Sequence, residues 1–259
     1  MSVQVSNLYF SYGHDLILED ISFKAEDSQL LSILGPNGVG KSTLFNCMLG
    51  LLNSYKGEVL LNNIDIKGLD IKKMAKLIAY IPQSHYPSFN FSVFDMILMG
   101  ASIQISTISS PGKKQIKLVE AALERLGIEH LKNRGYTQIS GGERQLVLIA
   151  RALVQEAKIL IMDEPTANLD FGNQVRVMRE IKSLTKDGYT IIQSTHNPDQ
   201  AFLFSDVVLA LKDGKVLKSG IPAEIFTEDL IKTLYDIDVE IQNLYEGKIK
   251  VCIPKGIVF

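Results

Sequence analysis

The chain has 259 residues, of which 46% are hydrophobic and 22% charged, so it can bury a sizeable core without disulfides or structural metals. Its formal net charge of −2 provides no field that would attract polyanions, and we expect no nucleic-acid partner. Cys47 and Cys252 lie far apart and match no zinc-ligand spacing, which argues against both a zinc site and a disulfide framework. We expect no export signal and no membrane-spanning helix, because no apolar run approaches ~20 residues.

The N-terminal quarter of the chain predicts a mixed sheet around one loop. Short strands are expected from Val3 to about Leu34, the last of them the apolar run Leu30 to Leu34. A helix is predicted from about Lys41 to Leu52. Gly57 to Ile66 is typical of a hairpin that turns at Asn62-Asn63, since asparagine tolerates the positive φ of tight turns.

The middle of the chain, from about Ile71 to Leu153, has mainly helical periodicity. Pro82, Pro87, the Ser/Thr-rich stretch Ser102 to Ser110 and Pro111-Gly112 interrupt it. This region is predicted to be a helical insertion.

Strand patterns return in the last third. Ile159 to Met162 and Thr190 to Ile192 are continuous apolar runs, as in parallel strands covered on both faces. Val207 to Lys218 predicts a hairpin that turns at Asp213-Gly214. An amphipathic helix is expected near Glu228 to Tyr235, followed by a weak β pattern.

A glycine-rich loop carries the strongest chemical signal. Residues 35–43 read GPNGVGKST and contain G-x-x-x-x-G-K-[ST] between an apolar strand and a helix start. Backbone N–H groups of such a loop surround phosphate oxygens, Lys41 reaches the β and γ phosphates, and the Ser42 hydroxyl binds Mg²⁺. The loop therefore predicts a bound nucleotide together with Mg²⁺, although many enzyme families share this motif. The residues predicted to bind the nucleotide here are Gly35, Asn37, Gly38, Val39, Gly40, Lys41, Ser42 and Thr43.

Two acids, Asp163 and Glu164, follow directly on the predicted strand Ile159 to Met162. Ligands bind at the carboxyl ends of strands in open α/β sheets. We predict that Asp163 holds Mg²⁺ and that Glu164 orients or deprotonates the attacking water.

The segment Ile139 to Gln145 reads ISGGERQ and combines a Ser-x-x-Glu capping box with two glycines at a helix start, where a phosphate can approach the backbone. It resembles the signature sequence of ATP-binding cassette (ABC) proteins, and this resemblance extends over nearly the whole chain. The family usually has Leu and Gln at the positions of Ile139 and Glu143. We interpret the change at Glu143 as functionally neutral, because the capping box gives its carboxylate a local backbone partner.

The resemblance implies roles for further residues. Tyr12 is similar to the aromatic residue that stacks on adenine, and Gln83 to the glutamine that touches Mg²⁺ and moves with the membrane partner. Asp170, in Ala167 to Asp170, resembles part of the loop through which two subunits sense each other. His196 resembles the histidine that donates to the γ phosphate. The implied sets are Glu164, His196 and Lys41 for catalysis; Ser42, Gln83 and Asp163 for the metal; and Tyr12, Ser140, Gly141, Gly142, Glu143 and Asp170 for the nucleotide, in addition to the glycine-rich loop.

The implied fold is α/β, with a P-loop NTPase core, an antiparallel β subdomain and a helical subdomain. The family domain is expected to span residues 1–225, with the helical subdomain at about 84–153. Residues 226–259 are expected to form a C-terminal extension packed on that domain.

The family works as a head-to-tail dimer in which the signature of one copy completes the phosphate loop of the other. The resemblance therefore implies a second copy of this chain and integral membrane permease subunits as partners, and a solute-binding protein indirectly. The expected location is peripheral, on the cytoplasmic face of the inner (plasma) membrane. Ser92 to Gly100 and Asp229 to Pro254 resemble segments of metal-chelate importers, while molybdate and tungstate importers are also similar, so the cargo is a metal chelate or an oxyanion.

Two alternatives come from other functional classes. The first is a soluble ABC ATPase that serves translation, repair or iron-sulfur assembly. Translation members usually have two cassettes in one chain and repair members have long coiled coils at mid-chain, neither of which this chain shows, so the iron-sulfur type is the form that stays open. A regulatory module that binds ATP without turnover is disfavoured by Glu164 and His196.

Overall fold

The computed structural model describes residues 1–83, 89–104, 110–246 and 249–256. The strands, in chain order, are β1 (Val3–Tyr12), β2 (Asp15–Ala25), β3 (Leu30–Leu34), β4 (Lys56–Leu61), β5 (Ile64–Asp65), β6 (Ile78–Ile81), β7 (Ile159–Met162), β8 (Thr190–Thr195), β9 (Val207–Lys212), β10 (Lys215–Gly220), β11 (Val239–Leu244) and β12 (Ile249–Pro254). The α-helices are α1 (Lys41–Met48), α2 (Ile71–Leu77), α3 (Val93–Leu98), α4 (Lys113–Arg125), α5 (Gly141–Val154), α6 (Phe171–Lys186), α7 (Pro198–Phe204), α8 (Pro222–Ile225) and α9 (Glu228–Tyr235). Short 3₁₀ segments lie at Met99–Gln104, Glu129–Leu131 and Tyr136–Gln138.

The chain divides into two compact units, one made of residues 1–68 and 185–259 and the other of residues 69–184. In the first unit, β2, β1, β4 and β5 form an antiparallel sheet in that order. Strand β3 pairs in parallel with β8 on one side and β9 on the other, and β10 is antiparallel to β9. Every residue of β3 and β8 is buried, as expected of parallel strands covered on both faces.

The second unit contains α2 to α5, most of α6, and the parallel pair of β6 and β7. All four residues of β7 are buried, so the strand that precedes the two predicted site acids lies in a hydrophobic core. Helix α3 begins at the predicted Ser-x-x-Asp start, where the Ser92 hydroxyl accepts from the Asp95 N–H at 3.0 Å. No helix in the described ranges is long and apolar enough to cross a bilayer.

Most of the local predictions are confirmed. The hairpin turn at Asn62 and Asn63 has φ of 51° and 64°, and the turn between β9 and β10 has φ of 49° at Asp213 and 73° at Gly214. Helix α9 spans Glu228–Tyr235 as expected, and the weak β pattern after it is the hairpin of β11 and β12. Of the predicted interruptions of the helical region, Pro87 and residues 105–109 lie outside the described residues.

Two predictions of secondary structure were wrong: the end of one helix and the assignment of one strand. Helix α1 ends at Met48 rather than near Leu52, because Gly50 adopts a left-handed conformation (φ 67°). The Gly50 N–H donates to Cys47 O at 3.0 Å, and the Leu51 N–H donates to Asn46 O at 2.9 Å. These two hydrogen bonds form the Schellman motif that terminates helices.

The second error concerns residues 78–81, which were assigned to the helical region but form strand β6. Ile78, Ala79 and Ile81 are buried, and the strand pairs with β7 in register from Ile78 with Ile159 to Ile81 with Met162. Pairing with a strand distant in sequence therefore overrides the local helical pattern.

Candidate functional site

The glycine-rich loop connects the buried strand β3 to helix α1. Gly38 (φ 84°) and Gly40 (φ 101°) adopt left-handed conformations that favour glycine, and Gly40 is the residue that caps α1. Lys41 is buried, and its Nζ donates to the carbonyl oxygens of Gly35 at 2.7 Å and Pro36 at 3.0 Å. The loop thus curls around the lysine ammonium group at the start of a helix, as a phosphate-binding loop requires.

Close contacts fix the ends of this loop within the first unit. The Gly35 N–H donates to Thr195 O at 3.3 Å, and a Cβ on Gly35 would lie 2.2 Å from Leu211 O. A Cβ on Gly40 would lie 2.8 Å from Leu18 Cδ2. A side chain at Gly35 would therefore displace backbone, and one at Gly40 would be strained by the φ of 101° and would have to move the end of Leu18. Of the other predicted loop residues, Val39 is buried, Thr43 is half-buried, and Asn37, Gly38 and Ser42 are exposed.

The first unit also carries the predicted adenine-stacking and phosphate-sensing residues. Tyr12, at the end of β1, is 50% exposed and meets the Phe10 ring edge-on at 4.9 Å between centroids. Its ring therefore has a free surface on which a planar base could stack. His196 is exposed between β8 and α7.

Three predicted site residues of the second unit follow the carboxyl ends of β6 and β7. Asp163 is 8% exposed, and its N–H donates to Ile81 O at 2.9 Å. The Gln83 Nε2 donates to Glu164 Oε2 at 3.4 Å. The structure thus brings the predicted metal ligands Gln83 and Asp163 to the same strand ends as the predicted catalytic acid Glu164.

Glu164 has a left-handed backbone conformation, with φ of 44°, and its carbonyl oxygen accepts from the Ala167 N–H at 3.0 Å. Such a conformation costs a non-glycine residue about 1 kcal/mol or more, and it persists where the surrounding structure imposes it. Strained residues of this kind are concentrated at functional sites.

Tyr80 was not predicted as a site residue, but it lies beside Asp163 at the ends of β6 and β7. Burial, the charge of Asp163 and a hydrogen bond to that carboxylate raise the pKa of Tyr80 to about 12. The protonated phenol can donate to Asp163, and the raised pKa extends this protonated state further into the alkaline range. Its position two residues before Pro82, on a strand not predicted from the sequence, gave no local signal of this role.

The predicted capping box is confirmed at the start of α5. The Ser140 hydroxyl accepts from the Glu143 N–H at 3.3 Å, and the Ser140 N–H donates to Glu143 Oε2 at 2.7 Å. Hydrogen bonding by the backbone and side chain of Ser140, together with the smaller electrostatic effect of Arg134, holds the pKa of Glu143 below its ordinary value of 4.5. The Glu143 carboxylate is thus engaged by its own helix start.

The signature glycines pack against the segment that carries Asp170. A Cβ on Gly141 would lie 3.2 Å from Leu169 Cδ2, and a Cβ on Gly142 would lie 2.5 Å from Asn173 Oδ1. Asp170 caps α6: its Oδ1 accepts from the Asn173 N–H at 2.9 Å and its Oδ2 accepts from Asn173 Nδ2 at 2.7 Å. Asn173, also missed from the sequence, therefore joins the signature to Asp170, and its hydrogen bonds lower the pKa of Asp170.

The predicted metal ligands suit Mg²⁺ by their chemistry. Ser42, Gln83 and Asp163 offer hydroxyl, amide and carboxylate oxygens, the hard donors that Mg²⁺ prefers alongside phosphate and water. Within the described ranges there is no cluster of three or more His, Cys, Asp or Glu residues that could hold a metal without a ligand's help. This donor set fits an ion that arrives with a phosphate ligand.

Comparison with known proteins decides the family. The family model described as ABC transporter matches residues 18–167, more than half of the chain and inclusive of the glycine-rich loop, the signature and both acids. The chain belongs to the ABC transporter family. It is an ATP-binding, ATP-hydrolysing subunit of a membrane transporter complex.

Two relatives and one solved structure of ABC transporters resemble nearly the whole chain. A Helicobacter pylori protein named as an iron chelatin transport ATP-binding protein is 40% identical over 242 residues, which cover 93% of this chain and 95% of the relative. The iron(3+)-hydroxamate import ATP-binding protein FhuC of Bacillus subtilis is 31% identical over 258 residues, which cover 99% and 96%. A structure described as a metal-chelate type ABC transporter in an inward-facing conformation matches with a TM-score of 0.87 at 30% identity, covering 98% and 96%. These matches confirm the predicted fold class, an ABC ATPase with a mixed sheet and an antiparallel β subdomain.

The capping box of this ABC ATPase should stabilise the folded state in a pH-dependent way. Because the folded-state pKa of Glu143 is lowered, its carboxylate stabilises the folded state above the unfolded-state pKa, and this contribution is lost as the pH falls through the folded-state pKa. We expect Glu143→Ala to lower the free energy of unfolding at pH 7 by at most about 1 kcal/mol, the usual value of a helix cap, because solvent screening weakens the interaction. Well below pH 4.5 the loss should be much smaller. Denaturant unfolding at several pH values measures this difference.

The matched control is Glu143→Gln, whose amide oxygen can still accept from the Ser140 N–H. We expect this variant to lose less stability, and its ATP turnover to stay within about tenfold of the wild type, which corresponds to about 1.4 kcal/mol. A larger gain in turnover or in nucleotide affinity would show that the glutamate at this position is not neutral.

Proposed function

We propose that the chain drives uptake of a metal chelate by dimerising on ATP beneath separate membrane subunits. The observation that carries this proposal is the resemblance to metal-chelate transport proteins over nearly the full length, including the C-terminal extension at residues 226–259. The H. pylori relative and the structure described as metal-chelate type support the same cargo class. The relatives named as transport ATP-binding proteins favour this proposal over an ABC ATPase of iron-sulfur assembly.

In the proposed reaction, each predicted site residue has a separate role toward the nucleotide. Tyr12 stacks on the base, and the backbone of residues 35–43 binds the phosphates together with Lys41. His196 donates to the γ phosphate, while Glu164 orients and deprotonates the attacking water. Ser42, Gln83 and Asp163 would hold Mg²⁺, which when bound neutralises charge on the phosphate oxygens.

A second copy supplies the rest of the site. Ser140, Gly141 and Gly142 form the start of α5, where backbone N–H groups and the positive end of the helix suit an anion. In a head-to-tail dimer these groups face the γ phosphate bound by the partner, so ATP joins the copies and hydrolysis releases them. Asp170 belongs to the segment through which the two copies sense each other, and its link to Gly142 through Asn173 supports this role.

The remaining parts of the proposal concern organisation. The proposed family domain covers residues 1–225, with a helical subdomain at about 84–153 and an extension at 226–259. The chain acts on the cytoplasmic face of the inner membrane, bound to permease subunits that receive cargo from a solute-binding protein. Gln83 lies at the end of β6, two residues after Ile81, where a displacement of the helical region would reach Glu164 through the Gln83 hydrogen bond.

Uptake of a radiolabelled ferric chelate tests the cargo. Cells should express the chain together with candidate permease and solute-binding subunits for ferric chelates, and we expect accumulation of label with the wild type and background accumulation with Glu164→Gln. Labelled cobalamin, molybdate and Mn²⁺ serve as competing cargoes in parallel. Uptake of molybdate without uptake of the chelate would instead assign the chain to oxyanion import, and equal uptake with both forms of the chain would exclude it as the motor.

A further inference from the structure

The C-terminal extension contacts the segment that carries His196. The Tyr235 hydroxyl, at the end of α9, donates to the backbone carbonyl oxygen of His196 at 2.9 Å. These residues are 39 positions apart in sequence, so the hydrogen bond joins two separate elements of the first unit. His196 itself stands between the buried strand β8 and helix α7.

A second hydrogen bond holds the other side of the same segment. Asp199, in the first turn of α7, accepts from the Cys252 N–H of β12 at 3.0 Å through its Oδ1. The Asn197 side chain caps α7 by accepting from the Gln200 N–H, and the Asn197 N–H donates to Thr195 Oγ1. The hydrogen bonds of Asn197 shape the turn between β8 and α7, while those of Tyr235 and Cys252 attach this turn to the C-terminal extension.

The extension is anchored firmly enough to act as a fixed support. Leu230, Ile231 and Leu234 of α9 are buried in a cluster that includes Leu34 at the end of β3 and Phe202 of α7. Lys212 Nζ donates to the carbonyl oxygen of Thr233. Further members of the same cluster are Ala201, Val208, Ala210, Ile225, Phe226 and Val239. Burial on this scale restricts α9, so Tyr235 has a defined position relative to the core.

We propose that Tyr235 is a positioning residue for His196, and that the C-terminal extension sets the rate of ATP hydrolysis through this contact. A hydrogen bond to the backbone oxygen limits the movement of the peptide that carries the imidazole, and so limits the positions from which the side chain can donate to the γ phosphate. Small errors in the position of a phosphate donor are costly in the transition state and less costly in substrate binding. The inference rests on the proposed role of His196.

The substitution Tyr235→Phe removes the hydroxyl and keeps the ring in place. We expect kcat for ATP hydrolysis by the purified full-length chain to fall about three- to tenfold, with KM for ATP changed less than about twofold. Lys255→Met is the matched control, because it removes a 2.9 Å bond to Glu228 within the extension and away from His196. This control should hydrolyse ATP as the wild type does.

A double-mutant cycle separates positioning from a merely structural role. His196→Ala is expected to lower kcat, and in that background Tyr235→Phe should have no further effect on single-turnover hydrolysis. Equal losses from Tyr235→Phe in both backgrounds would overturn the inference, as would unchanged kcat in the single variant beside a clear loss in His196→Ala. Full turnover in His196→Ala would instead refute the proposed role of His196, and with it the basis for positioning.

Discussion

Replacing Glu164 with glutamine should lower the rate of ATP hydrolysis by about 10²- to 10⁴-fold, the usual contribution of a general base. The amide keeps the size of the side chain but cannot take a proton from water. ATP binding and ATP-dependent dimerisation should persist, because the phosphate contacts proposed for Lys41 and the glycine-rich loop do not involve Glu164. The measurements are single-turnover hydrolysis, nucleotide binding by equilibrium titration, and dimer formation by light scattering with ATP.

The chain offers a control for the backbone strain at this position. Glu156 is also a left-handed glutamate, with φ of 63°, and its side chain forms an exposed ion pair with Lys114 at 3.4 Å. Glu156→Gln removes one carboxylate from the same kind of backbone and should leave hydrolysis unchanged. If Glu164→Gln hydrolysed ATP at the wild-type rate, the water would have to be activated by another group. Equal losses in the two variants would indicate a general effect of charge rather than catalysis.

Elements set by neighbouring residues could be predicted from the sequence. The capping box of Ser140 and Glu143 needs a spacing of three residues, and the turn at Asp213-Gly214 needs a dipeptide that tolerates positive φ. Helix α9 has charged and capping residues at its start and an apolar face, and its bounds were predicted correctly. The end of α1 had a local signal too, since Gly50 stops the helix. The apolar residues Leu51 and Leu52 continue the helical pattern of apolar residues past Gly50, so the helix was predicted too long.

Features made by pairing across the chain could not be predicted in this way. Strand β6 exists because Ile78 to Ile81 pair with Ile159 to Met162, about 80 positions later, and no residue near Ile78 reveals that partner. The hydrogen bond from Tyr80 to Asp163 depends on the same pairing, because it brings their backbones together. The contact of Tyr235 with His196 similarly requires α9 to fold back onto the core. Motif spacing therefore predicts which groups react, while the groups that contact them could be found only in the structure.

The signature and Asp170 illustrate how such support could couple two functions. Asn173 bonds to both oxygens of Asp170 and would lie within 2.5 Å of any Cβ at Gly142. A shift at the start of α5 would therefore push Asn173 and alter the cap of α6. If phosphate binds at the signature, the resulting shift of α5 can change the hydrogen bonds of Asp170 within the same unit. This physical link supports the proposal that the Asp170 segment reports on the partner's nucleotide.

Mixing two inactive variants should restore ATP hydrolysis if each site is shared between chains. Lys41→Ala removes the phosphate-binding lysine, and Gly141→Asp places a carboxylate at the helix start proposed to receive the partner's phosphate. Each homodimer has the same defect in both sites and should be nearly inactive. In a head-to-tail heterodimer both defects fall in one site and the other is intact, so an equal mixture should recover about a quarter of wild-type turnover.

The recovery distinguishes a shared site from one contained in a single chain. A site made of Lys41 and Gly141 from the same chain would be defective in every molecule of the mixture, so no recovery would follow. Gly141 suits this test because its added Cβ meets only the end of the flexible Leu169 side chain, at 3.2 Å, whereas a Cβ at Gly142 would meet Asn173 at 2.5 Å. The control mixes Gly141→Asp with a chain that carries both substitutions, which leaves no dimer with an intact site. A mixture of the single variants no more active than this control would contradict the head-to-tail arrangement, since the dimer itself creates the intact site.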